Sequence, residues 1–219
     1  MPRSVSKRFR SGRLALPVLA AVIAFIVQDL YAQPLLLTGA WQATQSSLVE
    51  TGQLLVAGRE VPYRIRNLPV SSFPDLPPAV AETLNDRGCL IPQTYEAKSP
   101  ENVIHGSFER SGSNDWAVLC SAKGQIELLV FFASAPPTEP SILVSASKTD
   151  RLQQHDSEGT LGFNWGIDPA TPKRVHEAQA GMPHRPPPPD HDCVAETTLE
   201  HNTSYHFYWH GTWGSIQTE

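Results

Sequence analysis

The sequence predicts an α+β fold: a mostly antiparallel β-sheet of five to seven strands with one or two short helices and one disulfide. Three observations carry this expectation. Residues 115–132 read as two apolar strands around a tight turn, residues 76–87 read as a well-punctuated helix, and two cysteines join them. Cys89 follows the helix end and Cys120 lies in the first of the two strands. The alternative for that pair is two buried free thiols. Closing a loop of this size is worth roughly 3 to 4 kcal/mol in the chain-entropy model.

The two strands at 115–132 are the most hydrophobic stretch outside the N-terminus. Trp116, Val118 and Cys120 alternate with Ala117 and Leu119, and Ile126, Leu128 and Val130 alternate with Glu127, Leu129 and Phe131. Both faces become apolar toward the end, which places these strands centrally in a sheet. Ala122-Lys123-Gly124 supplies the turn, Gly124 being free to take positive φ.

The helix at 76–87 is expected to start at Asp75, a side chain suited to capping, with Pro77 in its first turn. Leu76, Val80 and Leu84 fall four apart and share a face. Gly88 stands where a left-handed C-terminal cap belongs.

In residues 59–68, Val61, Tyr63 and Ile65 alternate with Arg64 and Arg66, the period of a half-buried strand. Pro62 confines it to an edge or a strand start. Further strands are expected at 102–108, 141–147 and 162–167. The segment 148–159 reads as an exposed loop. Residues 169–181 can hold a short helix with Val175 and Ala178 inward. Four consecutive prolines, Pro186 to Pro189, make residues 183–190 an extended proline-rich loop, better read as a spacer than as a ligand for a proline-binding module. The chain ends in a second hairpin whose His210-Gly211 turn sets Tyr208 opposite Trp213.

Three regions follow. Residues 1–32 have the layout of a signal peptide: Arg3, Lys7, Arg8, Arg10 and Arg13 precede an apolar run of 14 residues, Leu14 to Val27, and Ala32 suits the last position before cleavage. That run is too short to span a bilayer as a straight helix; the alternative is an uncleaved N-terminal anchor, and both readings put the rest of the chain outside the cytoplasm. Residues 33–58 form a weakly structured N-terminal segment in which 40–56 can be a short helix. Residues 59–219 form a single α+β domain. The expected location is periplasmic or secreted, with no membrane span after cleavage.

The full chain has 17 Lys and Arg against 22 Asp and Glu. Losing the signal removes five basic residues and Asp29, leaving 12 basic, 21 acidic and a net charge of −9. An acidic surface without a basic stripe argues against nucleic acid, whose phosphates require clustered Lys and Arg.

Residues suited to chemistry are sparse. Six of eight histidines fall from His176 onward. His206 and His210 would share a helix face, but on a strand they stand about 13 Å apart, too far for one ion. The densest metal-like stretch is Asp190-His191-Asp192-Cys193, from which His191 and Cys193 are the candidate ligands. The same pair is the candidate for thiol catalysis. No serine lies on a G-x-S-x-G elbow and no phosphate-cradling glycine loop is present. Asn202-Thr203-Ser204 fits the glycosylation acceptor pattern. Tyr208, Trp209 and Trp213 are the candidate ligand-binding aromatics, with core packing as the competing role.

Two resemblances add to this. Gly106-Ser107-Phe108 followed by Gly112-Ser113-Asn114-Asp115-Trp116-Ala117-Val118 resembles one FG-GAP-type repeat, a calcium-binding element of β-propellers. Here it occurs in one copy, with carboxylates only at the ends of its loop. Gly88-Cys89-Leu90-Ile91-Pro92-Gln93 with Asp115-Trp116-Ala117-Val118-Leu119-Cys120 resembles a family of uncharacterised exported bacterial proteins, which implies no activity and no functional residues.

The reading the sequence favours is an exported non-enzymatic domain that binds a protein, glycan or small molecule in the cell envelope, without a cofactor. The alternatives are an envelope hydrolase using carboxylates or Cys193 with His191, and a metal-binding envelope protein.

Overall fold

The structure is a computed structural model that describes residues 48–182 and 189–218. The expected signal peptide, residues 33–47 and most of the proline-rich loop lie outside the described residues. The described part contains thirteen strands: β1 (Val49–Val56), β2 (Arg59–Pro69), β3 (Leu90–Gln93), β4 (Val103–Gly106), β5 (Asp115–Ala122), β6 (Gln125–Phe131), β7 (Ser141–Ser147), β8 (Leu152–Gln154), β9 (Leu161–Phe163), β10 (Trp165–Ala170), β11 (Cys193–Thr198), β12 (Thr203–Trp209) and β13 (Thr212–Thr218). Two α-helices accompany them, α1 (Pro78–Asp86) and α2 (Pro172–Ala178).

The strands form two sheets where the sequence suggested one. The larger has nine strands in the order β7-β6-β5-β3-β2-β9-β8, with β1 on β2 and β4 on β5. The smaller has four, in the order β10-β11-β12-β13. All pairs are antiparallel except β2 with β9.

The alternation read in 115–132 explains the layering. Ala117, Leu119, Ile126, Leu128 and Val130 face inward and meet Trp165, Ile167 and Val194 of the smaller sheet. Val118, Cys120, Leu129 and Phe131 face outward and meet Leu76, Val80 and Leu84 beside and along α1. On the far side, Val175 of α2 packs over Ala170, Cys193, Ala195, Tyr205 and Ile216. The result is an α/β/β/α sandwich whose central hairpin, β5–β6, is buried on both faces. Its turn at Lys123-Gly124 has φ of 52° and 80°, the left-handed pair that a two-residue hairpin turn requires.

The helix ends as the sequence indicates. Gly88 has φ 72°, its N–H donates to Asn85 O, and the Cys89 N–H donates to Leu84 O, the paired bonds of a Schellman cap. Cys89 is thereby delivered to Cys120, and the two form the disulfide. The start differs. The N-cap is Pro77 and no side chain caps it, so Asp75 is not the cap. Two consecutive prolines, Pro77 and Pro78, fix the φ angles that begin the helix and push its start past Asp75.

Other differences have local causes. Residues 49–56 are strand, not helix or weakly structured segment, because Ala57-Gly58 takes φ 49° and 80° and folds them back along Arg59 to Arg66. The domain therefore begins before Arg59. Pro62 is accommodated because over residues 59–62 strand β2 pairs with β1 on one side alone. Residues 152–154 lie in a strand, not a loop, through pairing with β9. The strand expected at 162–167 is split at Asn164, with β9 in the larger sheet and β10 in the smaller. Strand β11 was not foreseen. The final hairpin has the expected register: Tyr208 stands opposite Trp213, and His210-Gly211 turns with φ of 47° and 83°.

Candidate functional site

The outer face of the larger sheet carries a cleft of about 380 Å³ lined by Ser72, Phe73, Pro74, Asp75, Leu76, Pro100, Val103, His105 and Trp116. One wall is the approach to α1. A short 3-10 turn at Val70–Ser72 closes with the Phe73 N–H on Val70 O, and the Leu76 N–H then bonds Phe73 O. These bonds set the path of residues 73–76, with Pro74 and Asp75 exposed and Leu76 buried beneath. The other wall is the β4–β5 pair, in which His105 stands directly opposite Trp116. Their ring centroids are 5.0 Å apart. The His105 Nε2 is engaged with Asn114 Oδ1. The Trp116 indole N–H is covered and has no acceptor.

Two further clefts are shallower in chemistry. One, lined by Arg87, Cys120, Ala122, Lys123, Gln125 and Glu127, holds the Arg87–Glu127 ion pair at 2.6 Å. The other is polar and includes Asn202 and Thr203 of the glycosylation pattern. Each of the three clefts is lined by one carboxylate, Asp75, Glu127 or Glu200. A two-carboxylate sugar-hydrolysing arrangement needs a pair about 5 to 10 Å apart across the bond to be cut.

The aromatics singled out from the sequence do not form one platform. Successive strand residues face opposite sides. Tyr208 and Trp213 turn toward the larger sheet, where Phe132 lies 4.7 Å from Tyr208 and 5.8 Å from Trp213, ring to ring. The Trp213 indole donates to Ser141 Oγ at 3.0 Å. These two rings seal one end of the sandwich. Trp209 points to the other side and is 50% exposed, with His210 against it.

His191 and Cys193 likewise separate. His191 is buried with its Nδ1 2.8 Å from Asp190 Oδ1, and that hydrogen bond holds the Asp190 carboxyl below its usual range. Its Nε2 is covered without a partner. Cys193 is fully buried among Ala170, Val175, Ala195, Tyr205 and Ile216. Burial, aided by the nearby Asp192 charge, pushes its thiol up to about 12, so the thiolate needed for metal ligation or attack is suppressed. Among the described residues no group of three or more His, Cys, Asp and Glu is placed to hold a metal ion.

The Cys193 thiol sets a pH dependence. Its folded pKa is raised from 9.0 to about 12, so above pH 9 the unfolded chain releases a proton that the folded chain keeps. Stability on this account is intact below pH 9 and is lost as pH rises toward 12, by about 1.4 kcal/mol per pH unit. Denaturation curves at pH 8 and 10.5 should show the wild type losing more stability than Cys193→Ala; equal losses would refute the buried, neutral thiol.

The loop at 109–115 is built around Asp115. This buried carboxylate accepts from the Glu109 N–H at 2.8 Å, from the Ser113 hydroxyl, and from the Ala133 N–H at 2.8 Å. Glu109, at the other end, accepts from Ser134 Oγ at 2.6 Å and pairs with Arg110 at 3.3 Å. Both end carboxylates are thus used by the protein itself.

One part-buried network escaped sequence reading. Glu196 accepts from Arg151 at 3.1 Å through one oxygen and meets His206 Nε2 at 2.7 Å through the other, while the Arg151 guanidinium lies 4.0 Å over the Trp165 ring. Glu196 stands opposite Ser204, so His206 is its diagonal neighbour. That relation becomes visible only once the β11–β12 register is known.

The fold and site together define a disulfide-bonded α/β/β/α sandwich with an aromatic–proline cleft at the rim of the core between α1 and the larger sheet. Comparison with known proteins yields no match: no family model, no curated protein and no solved structure aligns with the chain.

Proposed function

We propose that this protein is an exported, non-enzymatic binding domain of the cell envelope, and that the cleft beside α1 is its ligand seat. The observation that carries the reading is the cleft itself. Phe73, Trp116 and Val103 are half-buried rather than sealed, next to exposed Pro74, Pro100 and His105. Of the other large rings, Trp165, Phe108 and Phe163 lie in the core and Phe132, Tyr208 and Trp213 form a seam, while Trp209 is exposed but lines none of these clefts. Concave apolar walls with a few polar groups are the usual form of a binding pocket. Export is supported by the N-terminal layout and by the Cys89–Cys120 bridge, since disulfides persist in oxidising compartments. No helix among the described residues is long and apolar enough to cross a membrane.

The test uses protein recovered from the exported fraction, where the mature chain is expected to begin at Gln33 by mass. Amide NMR spectra are then followed against a panel of peptides, oligosaccharides and small fragments. Binders should shift signals of residues 72–76, 103–105 and 116 together. Retention of residues 1–32 in the cytoplasm would sink the export reading, and binders mapping elsewhere would sink the seat.

A further inference from the structure

Resting on that reading of the cleft, we infer that its ligand is a proline-rich segment of a partner protein carrying a basic side chain. The surfaces offered are rings at fixed positions: Phe73 and Trp116 in the walls, Pro74 and Pro100 at the rim, Leu76 and Val103 below. Prolyl rings of an extended polyproline II chain suit such surfaces, and that chain loses little conformational entropy on docking. The polar inventory is too thin for a sugar. Only Ser72, Asp75 and His105 offer polar side chains besides the covered indole, and the His105 Nε2 is already taken by Asn114. A bound pyranose would leave hydroxyls without partners, which is costly once water is displaced.

The charge is one-signed. Asp75 is the cleft's carboxylate, and no Lys or Arg lines it. Because Pro77 begins the helix without a side-chain cap, the Asp75 carboxylate is not spent on the helix and stands exposed at the rim. An arginine beside the prolines would meet it in a charge-assisted hydrogen bond. The acidic excess of the chain favours a cationic partner on approach.

The experiment titrates a short synthetic peptide, an arginine followed by a run of prolines, into the mature protein and follows the Trp116 indole and the amides of residues 72–76 and 103–105. Saturable shifts confined to these signals are expected. Replacing the peptide's arginine by glutamate should weaken binding at least tenfold, and Asp75→Asn should weaken the arginine peptide about tenfold and remove most of its advantage over the glutamate peptide. Asp75 is exposed and caps nothing, so this variant is expected to keep the fold and an unaltered spectrum elsewhere. If oligosaccharides or fragments move these signals and the peptide does not, the peptide class is overturned and the cleft reading stands. If nothing in the panel moves them, both fall. Equal affinity of the arginine and glutamate peptides overturns the role given to Asp75.

Discussion

Removing the disulfide as Cys89→Ala with Cys120→Ala is expected to lower the unfolding free energy by about 3 to 4 kcal/mol. The bridge closes a loop with a sequence separation of 31, and the chain-entropy model assigns that loop about 3.7 kcal/mol in the unfolded state. Both sulfurs lie in the cluster between α1 and the central hairpin, so the substitution also removes packed volume. The double variant avoids adding a second free thiol beside that of Cys193, which could pair with it during refolding. Urea denaturation of the oxidised wild type and the variant measures the difference. A change under about 1 kcal/mol would mean that the bridge hardly restricts the unfolded chain. Because Cys89 and Cys120 are nearly inaccessible in the folded protein, a thiol reductant should act slowly until the chain opens.

Asn102→Ala is expected to cost about 3 to 5 kcal/mol, from three lost buried hydrogen bonds, one of which strands a backbone donor, and a backbone penalty. Asn102 is buried and has φ 69°. Its side-chain amide donates to Pro92 O at 2.7 Å and Trp165 O at 3.3 Å, and its side-chain carbonyl accepts from the Ile167 N–H at 3.0 Å. Its own backbone carbonyl accepts from the Leu119 N–H at 3.0 Å. One residue thus ties β3 and β5 of the larger sheet to β10 of the smaller. Alanine would leave the Ile167 N–H without its acceptor in the interior and the Pro92 carbonyl with only the Gln93 amide at 3.3 Å, and would strain at positive φ. Asn102→Gly loses the same hydrogen bonds without that strain, so it should be less damaging than alanine by about 1 kcal/mol, although glycine has no side chain at all. The reverse order in chemical denaturation would show that the left-handed conformation is not retained.

Legibility in the sequence tracked locality. The α1 C-terminus was readable because Gly88 answers a steric need of the backbone within two residues of the helix. The register of the last hairpin was readable because a two-residue turn fixes which residues face each other. The depth of β5 and β6 was readable because both alternating sets are apolar. The start of α1 was misread because Asp75 and Pro77 both signal a beginning, and the φ restriction of two prolines prevailed over a side-chain cap. Strand β1 was missed because Gly52 in its interior and the mixed sequence of residues 49–56 give no clear period; pairing to β2 decides it. Strand β11 was hidden by the densely polar residues that precede it, which drew attention as possible ligands.

The candidate site was less legible. Phe73, Pro74, Asp75 and Pro100 are ordinary loop residues in the sequence, and His105 and Trp116 are separated by the loop at 107–114. Nothing local marks them as one cleft. The residues that did draw attention were divided by the fold. Cys193 went into a core, Tyr208 and Trp213 into a seam with Phe132, and Trp209 onto the opposite face.

The sequence by itself determined the elements with local causes: the helix end at Gly88, the hairpin turns at Lys123-Gly124 and His210-Gly211 and the two-faced burial of the central strands; it favoured the pairing of Cys89 with Cys120, which the fold completes. The tertiary structure alone decided that the strands divide into two sheets, that Asn102 joins them, that Glu196 meets Arg151 and His206, and that a cleft opens between residues 72–76 and the β4–β5 pair. The physical reason is range. Caps, turns and alternation are set by sterics and hydrogen bonds among neighbours. Sheet partition and cleft formation depend on how distant apolar faces share the same buried space.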